Sequence, residues 1–162
     1  MSIKKIITGF TLSLLLSSSV AVSADFNKGL QAAQAGDFKT ALAEWTPLAE
    51  QGYVDAQYNL GLMYDNGYGV PESHKTAVKW YTKAAEQGDA KAQALLGALY
   101  GGGLGVQKDN VRGYMWLNLS AYNGGSDGTK GMGIFKELMT LAQIDKAQEM
   151  SDICLASDYT DC

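Results

Sequence analysis

Apolar side chains recur at helical spacing through the middle of the chain. Between residues 54 and 66 they lie three and four positions apart, on one face of a helix, at Ala56, Leu60, Met63 and Tyr64. A second amphipathic run between residues 73 and 87 has apolar positions at Ala77, Trp80, Tyr81, Ala84 and Ala85. Residues 67–71 (Gly-Tyr-Gly-Val-Pro) separate the runs, since glycine permits a positive φ and proline does not continue a helix. The pattern predicts a helical hairpin.

This hairpin pattern repeats after 36 residues. Eleven identities relate the two copies, and they include Ala56 with Ala92, Leu60 with Leu96, Tyr64 with Tyr100, Trp80 with Trp116 and Gly88 with Gly124. The same shift relates residues 39–52 to residues 75–88, and it fades beyond residue 125. A single hairpin cannot bury its apolar face alone, so a repeat of this length predicts an all-α fold, an α-solenoid of stacked helical hairpins.

Residues suited to helix ends recur in the same register. Short polar side chains that can cap a helix N-terminus stand at the start of each second helix, at Asp37, Ser73 and Asp109. Glycines stand where the second helices end, at Gly52, Gly88 and Gly124. We expect the repeated signature residues to form the core: Leu60, Tyr64, Trp80, Leu96, Tyr100 and Trp116.

The last segment differs from the repeats. Thr140 and Gln143 have the spacing of a capping box, and the apolar residues that follow, from Leu141 to Cys154, keep helical spacing. A terminal helix of this kind closes the exposed end of a stack. The chain therefore divides into five segments: a leader at 1–24, a hairpin at 25–53, repeats at 54–89 and 90–125, and C-terminal capping helices at 126–162.

The two clear copies resemble the Sel1-like repeat, a relative of the tetratricopeptide repeat with a longer loop inside the hairpin. The resemblance lies in Ala56-Gln57, Leu60-Gly61, Tyr64, Gly67, Gly69-Val70, Ala77, Trp80-Tyr81, Ala84-Ala85 and Gln87-Gly88. The hairpin at 25–53 is more similar to a tetratricopeptide unit, because Gly36-Asp37 makes a shorter turn. The resemblance implies an adaptor or scaffold that binds another protein or an extended peptide.

An enzymatic alternative comes from the same resemblance. Some cysteine-rich Sel1-like proteins are described as β-lactamases or penicillin binders, which suggests a hydrolase acting on cell-wall or β-lactam compounds. This chain lacks a cysteine pair in every repeat and has no Ser-x-x-Lys motif with its companions. Ser73 and His74 are adjacent, but neighbouring helix residues point about 100° apart, and the repeat assigns Ser73 to a cap. We therefore expect no catalytic residues.

Residues 1–24 have the three-part plan of a secretory signal peptide. Lys4 and Lys5 precede an apolar run from Ile6 to Leu16, and small residues follow up to Ala24. The run is shorter than the ~20 residues that cross a bilayer. We expect cleavage after Ala24 and a periplasmic or secreted protein without stable membrane insertion.

Two cysteines close to the C-terminus fit that destination. Seven residues separate Cys154 from Cys162, and an oxidising compartment favours a disulfide between them. The resemblance supports the same bridge, since secreted bacterial Sel1-like proteins often end in a similar cysteine-containing helix. The chain lacks the Cys-x-x-Cys spacing of redox-active pairs.

Charge and composition exclude some classes of partner. Thirteen basic and 17 acidic residues give a net charge of −4 without a basic stripe, so nucleic acid is not an expected partner. One histidine and two cysteines do not supply a zinc site, and we expect neither a metal nor a cofactor.

Residues that the repeat does not require are free to contact a partner. Five positions are polar or aromatic in the first repeat where the second has alanine, leucine or glycine: Tyr58, Asn59, Asp65, Asn66 and Tyr68. Tyrosine is favoured at binding hot spots because its ring has a hydrogen-bonding tip. These five residues are the predicted binding site, although a variable tyrosine can equally pack at a hairpin edge.

Overall fold

The computed structural model describes residues 24–162, so the predicted leader, up to residue 23, lies outside the described residues. Eight α-helices account for the regular structure of this range: α1 (Phe26–Gln34), α2 (Phe38–Glu50), α3 (Val54–Asn66), α4 (His74–Ala85), α5 (Ala90–Gly102), α6 (Asn110–Tyr122), α7 (Ser126–Leu138) and α8 (Leu141–Ala156). The all-α class and the repeated hairpins are therefore confirmed.

Helices α1 to α7 pack mainly on their neighbours in sequence. The hairpins α1–α2, α3–α4 and α5–α6 pack on one another through α2 with α3 and α4 with α5. The turn inside the first hairpin spans residues 35–37, whereas residues 67–73 and 103–109 form the longer loops of the next two. At the C-terminal end, α7 packs on α5 and α6, and α8 packs on α6.

The predicted helix ends are confirmed. The carboxylates of Asp37 and Asp109 and the hydroxyl of Ser73 each accept a bond from a backbone N–H in the first turn. Thr140 and Gln143 form the capping box of α8. Gly88 follows α4 with a φ of 82°, a conformation that L side chains rarely adopt. These caps fix where each hairpin turns.

Fewer of the repeated signature residues are fully buried than the sequence predicts. Leu60, Leu96 and Trp116 are buried, but the signature residues Tyr64, Trp80 and Tyr100 are only half-buried. The large aromatic side chain that is completely buried between α3 and α4 is Tyr81. These three side chains pack at the edges of the two hydrophobic clusters, so the core expectation is confirmed in full only for Leu60, Leu96 and Trp116.

A repeated polar contact joins successive hairpins. The buried Gln57 donates its Nε2 to the carbonyl of Ala49 at 3.0 Å, and Gln93 repeats this bond to Ala85 at 3.0 Å. Each glutamine Oε1 also accepts from an amide at an equivalent position, on Gln87 and Asn123. Because a buried polar group is costly when unpaired, these bonds favour one register of stacking.

Candidate functional site

A surface depression crosses the first helices of successive hairpins. We call it the central groove; it has a volume of about 520 Å³. Its walls come from α3, α5 and α7, and α6 contributes one residue. The lining residues are Tyr58, Leu62, Lys91, Ala94, Leu95, Ala98, Leu117, Asp127, Gly131, Ile134 and Phe135.

Differences between the two repeats create this groove. Tyr58 and Leu62 lie one turn apart on α3, and the equivalent positions on α5 hold the small Ala94 and Ala98. Large side chains on one helix and small ones on the next leave space above α5. Phe135 from α7 borders this space and is nearly buried.

Charged groups lie only at one end of the central groove. Lys91 and Asp127 occupy the second positions of α5 and α7. The Lys91 ammonium lies 5.9 Å from the centre of the Tyr58 ring, and Asp127 is 3.3 Å from Lys130. Partial burial, with smaller contributions from Asp89 and Asp127, raises the pKa of Tyr58. Tyr58 therefore stays neutral and can donate its O–H.

A second depression, the N-terminal groove, continues on the other side of α3. It has a volume of about 380 Å³ and shares Leu62 with the central groove. Tyr68 covers one edge, where its ring stacks on Phe38 with centroids 5.0 Å apart. The other lining residues are Leu30, Ala33, Gln34, Trp45, Asn59 and Met63.

The five predicted binding residues do not lie at one site in the structure. Tyr58 lines the central groove, and Asn59 and Tyr68 line the N-terminal groove. Asn66 is exposed outside both linings, and its amide donates to the carbonyl of Leu62. Asp65 turns toward α4 instead of the grooves.

Asp65 is held by two side chains of its own hairpin. Its Oδ1 is hydrogen-bonded to His74 Nδ1 at 2.8 Å, and its Oδ2 accepts from the Tyr81 hydroxyl at 3.4 Å. His74 Nε2 lies 3.4 Å from Glu72, so both ring nitrogens face carboxylates. These contacts give Asp65 a role in joining α3 to α4.

Ser73 and His74 do not form a nucleophile and base. The Ser73 hydroxyl is 2.9 Å from Thr76 Oγ1 and caps the Thr76 N–H, while His74 contacts Asp65 and Glu72. A general base must reach the hydroxyl that it activates. Within residues 24–162, no group of three potential metal-ligating side chains occurs either.

Sequence reasoning missed most of the groove lining. Leu62, Leu95, Ile134 and Phe135 are apolar residues that the helical pattern assigns to packing. One signal was available for Leu62, because its repeat equivalent is Ala98. Ile134 is 64% exposed, which departs from the usual place of an isoleucine.

The fold and its grooves define the class: an α-solenoid repeat protein. The family model for the Sel1 repeat matches residues 54–89 and 90–125, so the chain contains two Sel1 repeats and the resemblance is confirmed. Sel1-repeat proteins generally act in protein–protein interaction, and their fold is typically a non-catalytic scaffold. A comparison with curated proteins finds no match.

Two solved structures are similar to the chain. A protective antigen present in uropathogenic Escherichia coli strains, which displays an SLR fold, has a TM-score of 0.76 and 30% identity over 82% of this chain and 30% of that chain. A Sel1 repeat protein from Oxalobacter formigenes has a TM-score of 0.65 and 33% identity over 68% of this chain and 45% of that one. The chain thus spans less than half the length of either protein.

Proposed function

We propose that this protein is an exported adaptor or scaffold that binds an extended, apolar segment of another protein in the central groove. The observation that carries the proposal is the groove lining, in which Leu62, Leu95 and Phe135 surround the small residues of α5. Burying apolar surface there contributes about 25 cal/mol per Å².

The charge distribution supports an apolar occupant. Lys91 and Asp127, at one end, are the charged residues of the lining. A charged segment placed along the rest of the groove would lose hydration without gaining a partner. The neutral hydroxyl of Tyr58 can donate to a backbone carbonyl of the bound segment, as tyrosines at binding hot spots do.

The N-terminal groove supplies a continuation of the same path. Leu62 borders both grooves, so a segment that leaves the central groove over α3 meets Asn59 and then Tyr68. Under this proposal, Tyr58, Asn59 and Tyr68 contact the partner directly. Asn66 lies beside the path of the bound segment. Asp65 stabilises the α3–α4 hairpin, which carries the contacting residues.

Two findings are consistent with the export that the leader predicts. The structure joins Cys154 to Cys162 by a disulfide, a bond that persists in oxidising compartments. Among residues 24–162, no helix combines the length and apolar character that membrane crossing demands. We propose on this basis that the protein acts outside the cytoplasm.

A charge placed in the groove tests the binding proposal. Ala98 is an exposed helical alanine in the central groove, and Ala43 is an exposed helical alanine on α2, outside both grooves. A display library of short random peptides is selected on the wild-type protein, and Kd values are measured for the peptides recovered. We expect Ala98→Asp to weaken binding at least about tenfold, equivalent to about 1.4 kcal/mol, because it buries an unpaired carboxylate.

The matched variant Ala43→Asp makes the same chemical change elsewhere, and we expect it to leave Kd unchanged. The selected peptides should share apolar side chains at alternate positions, as an extended backbone presents them. Equal binding to wild-type and Ala98→Asp proteins, or selection of highly charged peptides, would contradict the proposal.

A further inference from the structure

Glu44 is a buried charged residue at the N-terminal end of the stack. It lies on α2 and is 7% exposed. In the 36-residue register its equivalents are Trp80 and Trp116. Trp80 packs on the hydrophobic cluster formed by α2 and α3, but no hairpin precedes α1 among residues 24–162. A carboxylate therefore stands where the inner repeats place an indole.

Two nitrogen atoms contact this carboxylate. The backbone N–H of Asp25 donates to Glu44 Oε2 at 2.9 Å, and the Lys28 ammonium pairs with Oε1. The hydrogen bond from Lys28 and then the one from Asp25 hold the pKa of Glu44 below its ordinary value. The Lys28 side chain is 58% exposed, so water competes for its charge. A buried carboxylate is costly unless its charge is paired.

The contacting backbone nitrogen belongs to the residue that follows the predicted cleavage position. We propose that Glu44 binds the α-ammonium group of Asp25 after cleavage, and that this ion pair closes the N-terminal end of the stack. The inference rests on the proposed export and not on peptide binding by the grooves.

The chemistry of cleavage changes this contact from neutral to ionic. Hydrolysis of the Ala24–Asp25 peptide bond by a signal peptidase consumes one water. The carbonyl carbon gains the hydroxyl and becomes the carboxylate of Ala24, and the nitrogen becomes an amine that binds a proton at neutral pH. A full positive charge then replaces an amide N–H at hydrogen-bond distance from Glu44.

Three charged groups determine the pH response of the pair. They are Asp25, the N-cap of α1, Lys28 on the first turn of α1, and Glu44 on α2. The α1 dipole disfavours a cation at its N-terminus, and the two carboxylates oppose that effect. Pairing raises the pKa of the amine above its unfolded value of about 8. The stabilisation is therefore complete from about pH 5, where the Glu44 carboxyl is ionised in both the folded and unfolded states, up to about pH 8. It is lost as pH rises through the folded-state pKa of the amine.

The experiment compares two exported proteins that differ by one residue at the amino terminus. The full chain is expressed in a bacterial host, with or without one alanine inserted between Ala24 and Asp25, and each mature protein is identified by mass spectrometry. We expect the unmodified chain to begin at Asp25. At about pH 7, Glu44→Gln should lower Tm by several degrees in that protein and by at most about half as much in the extended one.

Raising the pH to about 10 should remove this difference, because the amine is then neutral. The reciprocal variant Lys28→Met removes the other cation and should lower Tm more in the extended protein, where no amine remains to pair with Glu44. An equal effect of Glu44→Gln in both proteins, or a mature terminus other than Asp25, would overturn the inference. An uncleaved chain would refute the proposed export and this inference together, and the peptide-binding test would be unaffected.

Discussion

Tyr81 and Tyr114 are both completely buried, and their hydroxyl groups differ in what they contact. The Tyr81 hydroxyl donates to Asp65, and burial together with that carboxylate raises the pKa of Tyr81. Within residues 24–162, the Tyr114 hydroxyl has no hydrogen-bond partner. The repeat equivalent of Tyr114 is Val78, so the inner repeat fills this position with an apolar side chain. An unpaired buried hydroxyl reduces stability.

We predict that Tyr114→Phe raises the free energy of unfolding by about 1 kcal/mol, because it removes the unpaired hydroxyl and keeps the ring. The matched variant Tyr81→Phe should lower it by about 1 kcal/mol, since it breaks a bond to a carboxylate. Urea unfolding of the wild-type protein and both variants measures the changes. A destabilised Tyr114→Phe protein would show that its hydroxyl is paired.

Between the two helices of each hairpin, a glycine faces a large side chain. Gly29 contacts Trp45, Gly61 contacts Tyr81, and Gly97 contacts Leu117. The large residues stand 36 positions apart, at 45, 81 and 117. A methyl group at any of these glycines would overlap its partner, so the missing Cβ sets how closely the helices approach. Helix pairing here depends on steric fit as well as on apolar spacing.

We predict that Gly61→Ala lowers the free energy of unfolding by about 1–3 kcal/mol, because the buried Tyr81 ring has no room to move aside. Gly133→Ala provides the control, since no atom beyond the neighbouring residues and the local backbone of α7 lies within 4 Å of the position that its Cβ would occupy. Greater helix propensity should make the Gly133 variant more stable by about 1 kcal/mol. Thermal and urea unfolding distinguish the two; stabilisation by both substitutions would contradict the steric argument.

The helices were more predictable from the sequence than the grooves. The range predicted for the first helix of the first repeat, 54–66, is that of α3, because apolar spacing and turn residues are local signals. Which apolar residues border a groove depends on how successive hairpins are placed, and one hairpin's sequence does not contain that information. Leu62 and Phe135 were therefore missed, whereas Tyr58 was found through its difference from Ala94.

The C-terminal end of the molecule is closed by contacts that lie outside the repeat. Cys154 is completely buried on α8, and its disulfide to Cys162 brings their Cα atoms to 4.8 Å. Tyr159 lies between the two cysteines in sequence. Its hydroxyl and the Asn123 side chain hydrogen-bond to each other. Asn123 also bonds to Gln93, so the closing turn connects to the polar contacts between hairpins.

Stability in such a stack is approximately a sum of units and nearest-neighbour interfaces. We predict that reducing the disulfide lowers the free energy of unfolding by about 2 kcal/mol, because a short closed loop is released in the unfolded chain. Hydrogen exchange should show lost protection in α8 and α6, which pack together, and much smaller changes in α3.

The variant Cys162→Ser separates this effect from other effects of the reductant. Cys162 is only half-buried, so its loss removes the bridge and leaves the buried Cys154 side chain in the core. The variant should match the reduced wild-type protein in stability and should not respond to reductant. If reduction instead exposed α3 as strongly as α8, the molecule would unfold as one cooperative unit, and a sum of neighbouring interfaces would not describe it.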